Sequence, residues 1–326
     1  MSPLSTSRAY PPPAAARPER LHRYETATSD SARWDAYRPR DGDIVITTAP
    51  KCGTTWTQML CALLVHGPEL PAPLARLSLE FDRLVTPVDQ LMDQLDAQAS
   101  RRIIKTHTPL DGLPYFENVA YVHCARDPRD AFLSMMAHMQ NASETMMAPV
   151  RERLGLPADF RFPSDPNAFF QVWMTAPVHG WTDDGFPTGS VFHASRAVWP
   201  YRGLPNVHLL HYRDLRRDLA GEMRRLAGFL DIVVAERAWP ALLAAAAFDE
   251  MKSHADEVAP GAQFGDWSDN AAFFAEARLD AWRAALTSAN LALYEELAPK
   301  RAEPSLRSWL EGGRTALDED ALCGRL

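Results

Sequence analysis

The stretch Asp43-Ile44-Val45-Ile46-Thr47-Thr48-Ala49-Pro50-Lys51-Cys52-Gly53-Thr54-Thr55-Trp56 decides the fold. Its first six residues form a short stretch, β-branched after Asp43 and apolar at Ile44-Val45-Ile46, the pattern of a strand buried on both faces. After Trp56 the apolar positions Met59, Leu60, Leu63 and Leu64 repeat at helical spacing, and Gly67-Pro68 stops the run. The intervening loop holds one lysine, one glycine and two threonines. Such a loop directs backbone N–H groups and a helix N-terminus at an anion. Gly53 allows close approach, Thr54 and Thr55 add hydroxyls, and Lys51 adds a mobile charge. The nucleotide-triphosphatase pattern G-x-x-x-x-G-K-[ST] is absent, because this lysine precedes its glycine. A plain strand-to-helix turn is the competing reading, and the setting argues against it.

Outward from that loop, strands are predicted over 102–105, 119–124 and 207–212, each followed by helical or loop sequence. The alternation predicts an α/β fold: a P-loop-like, mostly parallel sheet flanked by helices, in a single domain. Asp127-Pro128 suits an N-cap and first helical position for a helix through Met139. Residues 141–200 are rich in Pro, Gly, Met and aromatics, including Phe169, Phe170, Trp173, Trp181, Phe186 and Trp199. Loops and short helices are predicted there, as an acceptor-pocket or lid insertion or an ordinary surface insertion. Met135, Met136 and Met139 sit at spacings that suit core as well as pocket. Residues 1–22 read as a flexible Pro/Ala-rich tail, 23–310 as the domain, and 311–326 as a C-terminal tail.

With 326 residues, 46% of them hydrophobic, the chain has enough apolar sequence for a sizeable core. A net charge of −8 disfavours a nucleic-acid partner, so charge for an anionic ligand must be concentrated locally. Cys52, Cys61, Cys124 and Cys323 show no metal-site spacing, and no metal is expected. Without an apolar leader or a run of about 18 apolar residues, a cytoplasmic location and no membrane span are expected. The oligomeric state is unreadable, and a homodimer is compatible with the sequence.

The loop Pro50-Lys51-Cys52-Gly53-Thr54-Thr55-Trp56 resembles the 5′-phosphosulfate loop of sulfotransferases that use 3′-phosphoadenosine 5′-phosphosulfate (PAPS), with Cys52 where that family usually has Ser. The likeness extends over most of residues 33–300. It looks closest to bacterial glycolipid sulfotransferases through Leu95-Asp96-Ala97-Gln98, Ile104-Lys105-Thr106-His107-Thr108-Pro109-Leu110-Asp111-Gly112-Leu113 and Arg126-Asp127-Pro128-Arg129-Asp130-Ala131. The resemblance implies that His107 is the general base, as suits a side chain titrating near neutrality. Lys51 and Lys105 would then stabilise charge on the leaving phosphate and the sulfuryl oxygens. Lys51, Cys52, Gly53, Thr54, Thr55 and Trp56 would bind the donor; Arg126 and Ser134 would hold its 3′-phosphate; and Trp56, Tyr212 and Phe248 would hold the adenine. Ala246-Ala247 replaces a Thr-Ser pair before Phe248. His123 reads as a satisfied core residue. The acceptor would be a small-molecule or lipid hydroxyl, with an apolar pocket.

One part of the pattern breaks. The family has Phe-Phe-Arg-[Lys/Arg]-Gly-x-x-Gly-Asp-Trp late in the chain, closing over the 3′-phosphate. Here Gly265-Asp266-Trp267 matches its end, with Pro260-Gly261-Ala262 at the basic positions. Alternatively, Phe273-Phe274 through Trp282 matches in length, with Ala275-Glu276-Ala277 at those positions; Thr287 and Tyr294 favour this register. Arg278, one turn away, is the candidate substitute. Weakened donor binding is expected. A degenerate nucleotide-binding protein and a P-loop-type kinase are the competing functions.

Overall fold

Ile44–Thr47 (β1) is buried along its whole length, as its unbroken apolar reading requires. Its side chains divide between two cores. Ile44 and Ile46 meet Thr54–His66 (α1) and Leu219–Phe229 (α8), while Val45 faces Trp34, Tyr37 and Val88–Asp96 (α2). The computed structural model describes residues 17–274 and 278–317.

Five strands form one parallel sheet in the order β2-β3-β1-β4-β5, with β2 at Ser78–Glu80, β3 at Ile103–Thr106, β4 at Ala120–Ala125 and β5 at Val207–His211. Thr47 pairs with Thr106, so the loops after β1 and β3 leave the sheet side by side. That register is pinned at the other end, where Arg102 donates from Nε to Asp43 over 2.8 Å and Tyr37 also donates to Asp43. The carboxyl ends of β3, β1 and β4 define the crevice where the strand order changes direction, the usual ligand position in open α/β sheets.

Pro128–Asn141 (α3) begins as predicted, with the Asp127 side chain accepting from Arg129 N and Pro128 in the first turn. It packs in a third core with Pro166–Thr175 (α5), Val191–Val198 (α6), Ser288–Arg301 (α9) and Pro304–Gly312 (α10). Among the described residues no helix is long and apolar enough to cross a membrane.

Several expectations are corrected. β2 has no counterpart in the sequence reading, since Ser78-Leu79-Glu80 is too short to show alternation. The strand expected over 102–105 runs one residue later. Tyr212 does not end a strand: His211 caps Tyr212–Arg217 (α7), accepting from Arg213 N. The region 141–200 is more helical than expected, with Glu144–Leu154 (α4), α5 and α6. Phe169, Phe170, Trp173 and Trp199 are core residues there. Residues 17–22 pack on the domain, with Leu21 and His22 N–H groups bonded to the Asp111 carbonyl. Residues 311–317 also pack on it, with Arg314 N–H donating to Asp214 over 2.7 Å.

Candidate active site

Three consecutive residues of the first loop have distinct jobs. Lys51 takes a positive φ of 65°, and Gly53 follows at 104° before α1 begins. A Cβ on Gly53 would stand 3.0 Å from Cys124 Sγ and 3.2 Å from Tyr212 Cδ2, so glycine is required both by conformation and by space. Between them Cys52 is fully buried in the core, and burial pushes its thiol up to about 12. It does not line the cavity, and its N–H is already bonded to the Ala49 carbonyl. Thr54 shares a 2.5 Å hydroxyl contact with Thr48.

These elements open on one cavity of about 710 Å³, lined by Lys51, Gly53, Thr54, Thr55, Trp56, Lys105, His107, Arg126, Ser134, Tyr212 and Phe248. The strand ends and the helices packed on them gather every sequence-predicted site residue except Cys52 and Arg278. Arg278 is exposed and lies outside the lining.

His107 follows β3 and sits with its Nδ1 2.8 Å from the Thr48 carbonyl. A carbonyl accepts, so Nδ1 carries the proton and Nε2 is the unprotonated nitrogen of a neutral ring. Burial, and secondarily Lys105, lowers its pKa to about 4. Lys51, pressed by burial and by Arg126 and Lys105, is lowered to about 7. Lys105 donates to Glu80 on β2 over 2.9 Å. Burial works to raise Glu80, but Lys105, His107 and Arg83 overcome it and hold the carboxyl at about 2.

Arg126 leaves the end of β4 with its guanidinium 4.5 Å from the Tyr212 ring centre, and one Nη donates to the Lys51 carbonyl over 3.3 Å. Its Nε is buried without a hydrogen-bond partner. Trp56 stands edge-on to Tyr212 and Phe248 at 5.5 and 5.9 Å, its indole N–H held by the Ala246 carbonyl at 2.8 Å. Ala246 thus contributes through its backbone. His123 is a core residue, as expected: it is buried, with Nδ1 donating to the Thr47 carbonyl.

Trp267 and Phe273-Phe274, which belong to the two competing late registers, line the same cavity. Ala275-Glu276-Ala277 lie outside the described residues. The late segment covers the site with aromatic surface on its described part.

Several site residues escaped the sequence reading. His138 lies one helical turn beyond Ser134 and meets Lys51; that i, i+4 spacing was the available signal. Glu80 escaped with its strand. Tyr24 belongs to a segment, 24–29, that lines the cavity, and its hydroxyl contacts Asp111 and His193 at 2.7 Å each. The apolar lining comes from Met135, Met139, Met146, Met147, Val150 and Phe162.

Comparison with known proteins matches residues 41–301 to the family described as sulfotransferase domain. The glycolipid sulfotransferase of Mycobacterium bovis (strain BCG / Pasteur 1173P2) is 38% identical over 312 residues, 90% of this chain and 95% of that protein. The luciferin sulfotransferase of Photinus pyralis is 27% identical over 66% of this chain and 58% of its own. Among solved structures, mouse sulfotransferase SULT7A1 complexed with PAP superposes with a TM-score of 0.63 at 19% identity, over 88% of this chain and 92% of that one. Retinol dehydratase in a complex with retinol and PAP gives 0.65 at 19% identity, over 85% and 87%.

Proposed function

The chain belongs to the sulfotransferase family and is a sulfotransferase enzyme, and from that premise we propose that it takes its sulfuryl group from PAPS and passes it to a hydroxyl of a lipid-type acceptor. The observation that carries this reading is the convergence of Lys51, His107 and Arg126 from the ends of β1, β3 and β4 on one cavity. The residues fit such a donor. Arg126 has an unpartnered buried Nε, Gly53 leaves a cradle that a Cβ would fill, and Lys51 has no carboxylate in ion-pair contact among the described residues.

Bound there, the donor supplies an activated sulfuryl group. Lys51 and the N–H groups at the start of α1 would hold its 5′ end. Arg126 and Ser134 would hold the 3′-phosphate, and Trp56, Tyr212 and Phe248 the adenine. His107 Nε2 takes the proton of the acceptor hydroxyl; being neutral, it is ready as a base without first losing a proton. Lys51 offsets negative charge on the leaving oxygen, and Lys105, held by Glu80, faces the same cavity.

The apolar lining supports a lipid acceptor, and the glycolipid sulfotransferases at 38% identity make a glycolipid the first class to try. The test is transfer of labelled sulfate from PAPS to a panel of glycolipids, sterols and phenols, with binding of adenosine 3′,5′-bisphosphate measured separately. Transfer to a lipid and binding of the bisphosphate are expected. A folded sample that binds no bisphosphate sinks the donor assignment, and transfer confined to phenols sinks the acceptor assignment.

A further inference from the structure

Lys51 is an ammonium surrounded by cations and rings. Its Nζ lies 4.1 Å from the Phe273 ring centre and 3.4 Å from Nδ1 of His138. A protonated Lys51 only donates, so in that state Nδ1 is the acceptor of the bond. His138 in turn packs on Trp267 at 4.4 Å and Phe273 at 5.6 Å, and those two rings lie 5.3 Å apart. The wall is tied down from both sides. Ser268 N–H donates to the Asn141 carbonyl and Ser143 N–H to the Asp266 carbonyl, joining the end of α3 to the loop that carries Trp267. Trp267 Nε1 donates to the Pro260 carbonyl over 2.7 Å.

We propose that His138 is a positioning residue for Lys51: its Nδ1 accepts one N–H of the ammonium, keeping it charged and aimed into the cavity, and leaves the other N–H groups for an oxygen of the donor's 5′-phosphosulfate. This rests on the PAPS reading above. The role requires His138 to stay neutral. Burial, followed by Lys51, His107 and Lys105, keeps its pKa well below 6.5. The groups pressing on Lys51 are Arg126 from the end of β4 and Lys105 from β3; an acceptor on α3 works against them, as does the face of Phe273.

The sign for donor binding follows. The anionic donor prefers protonated Lys51, so its affinity falls as pH rises through about 7, where the free enzyme loses that proton. Removing the imidazole acceptor moves that loss to lower pH. Without that bond Lys51 is less often charged and less well aimed, and donor binding is expected to weaken by about tenfold.

The experiment measures the KM for PAPS and kcat across that pH range for the wild type, His138→Leu and His138→Asn. His138→Leu is expected to raise the KM about tenfold, to shift its alkaline limb to lower pH, and to change kcat less. Asn, whose amide oxygen mimics Nδ1, is expected to restore both the KM and the limb. A Leu variant with the wild-type KM and limb overturns the proposal. So does an Asn variant as impaired as Leu with an unmoved limb, which would assign His138 to ring packing alone. Failure of the wild type to bind adenosine 3′,5′-bisphosphate is a different outcome: it removes the donor reading before any variant is compared.

Discussion

At the scale of the residue, the site depends on protonation states that the fold imposes. With Nδ1 committed to the Thr48 carbonyl, His107 presents one basic nitrogen to the cavity. His107→Ala is expected to lower the transfer rate by about 10²–10⁴-fold while leaving bisphosphate binding within a few-fold, as checked by single-turnover transfer and calorimetry. Gly53→Ala would strain the loop at φ 104° and push on Cys124 and Tyr212. A loss of about 1–2 kcal/mol is expected, read as a lower urea midpoint together with weaker nucleotide binding. Lys51, Gly53 and His107 were legible in sequence because each sits in a short local pattern. His138 was not, because its partner Lys51 is 87 positions away and only the docking of α3 brings them together.

At the scale of the element, α3 is the piece that carries Ser134 and His138 to the cavity. Its start depends on Asp127, which accepts from Arg129 N at 2.9 Å and grips the same residue's guanidinium at 3.0 and 2.8 Å. That guanidinium lies between the rings of Trp282 and Tyr294, at 3.8 and 4.3 Å from their centres. Asp127→Ala removes a cap and the nearest anion of a buried cation, leaving Glu295 and Glu311 at 3.8 and 3.9 Å, so a loss of about 2 kcal/mol is expected in chemical denaturation. Asp127→Asn keeps the cap oxygen and should lose less. The N-cap was readable from Asp127-Pro128, whereas β2 was not. Three residues cannot display a period of two, and Glu80 acquires meaning only when the register sets it beside Lys105.

At the scale of the whole molecule, sheet class and the grouping of loops followed from alternating strand and helix patterns. The path of residues 24–29 along the cavity did not, because Tyr24, Asp111 and His193 meet across more than 80 and 160 positions. The packing that creates this shape also buries imidazoles. His123, His208 and His211 are depressed to about 4, 3 and 3, in each case first by burial. A ring neutral in the fold and titrating near 6.5 when unfolded stabilises fully above that value, and its contribution falls as pH drops toward the folded pKa. Between pH 7.5 and 5.5 each ring should therefore lose about 1.4 kcal/mol. Buried Asp82 and Asp184, whose pKa is raised by burial, pull the other way at lower pH. A clear fall in urea midpoint over that interval is expected, and a flat profile would contradict the burial of the three rings.

Cys52 turns its sulfur inward from the loop proposed to cradle the anion, and its thiol stays protonated at ordinary pH. It is thus sealed from electrophiles as long as the loop is seated. In a variant with Cys323 replaced by serine, the rate of maleimide alkylation at Cys52 becomes a clock for how often that loop lifts off the sheet. A bound nucleotide should slow the clock, and a Gly53→Ala loop should run fast.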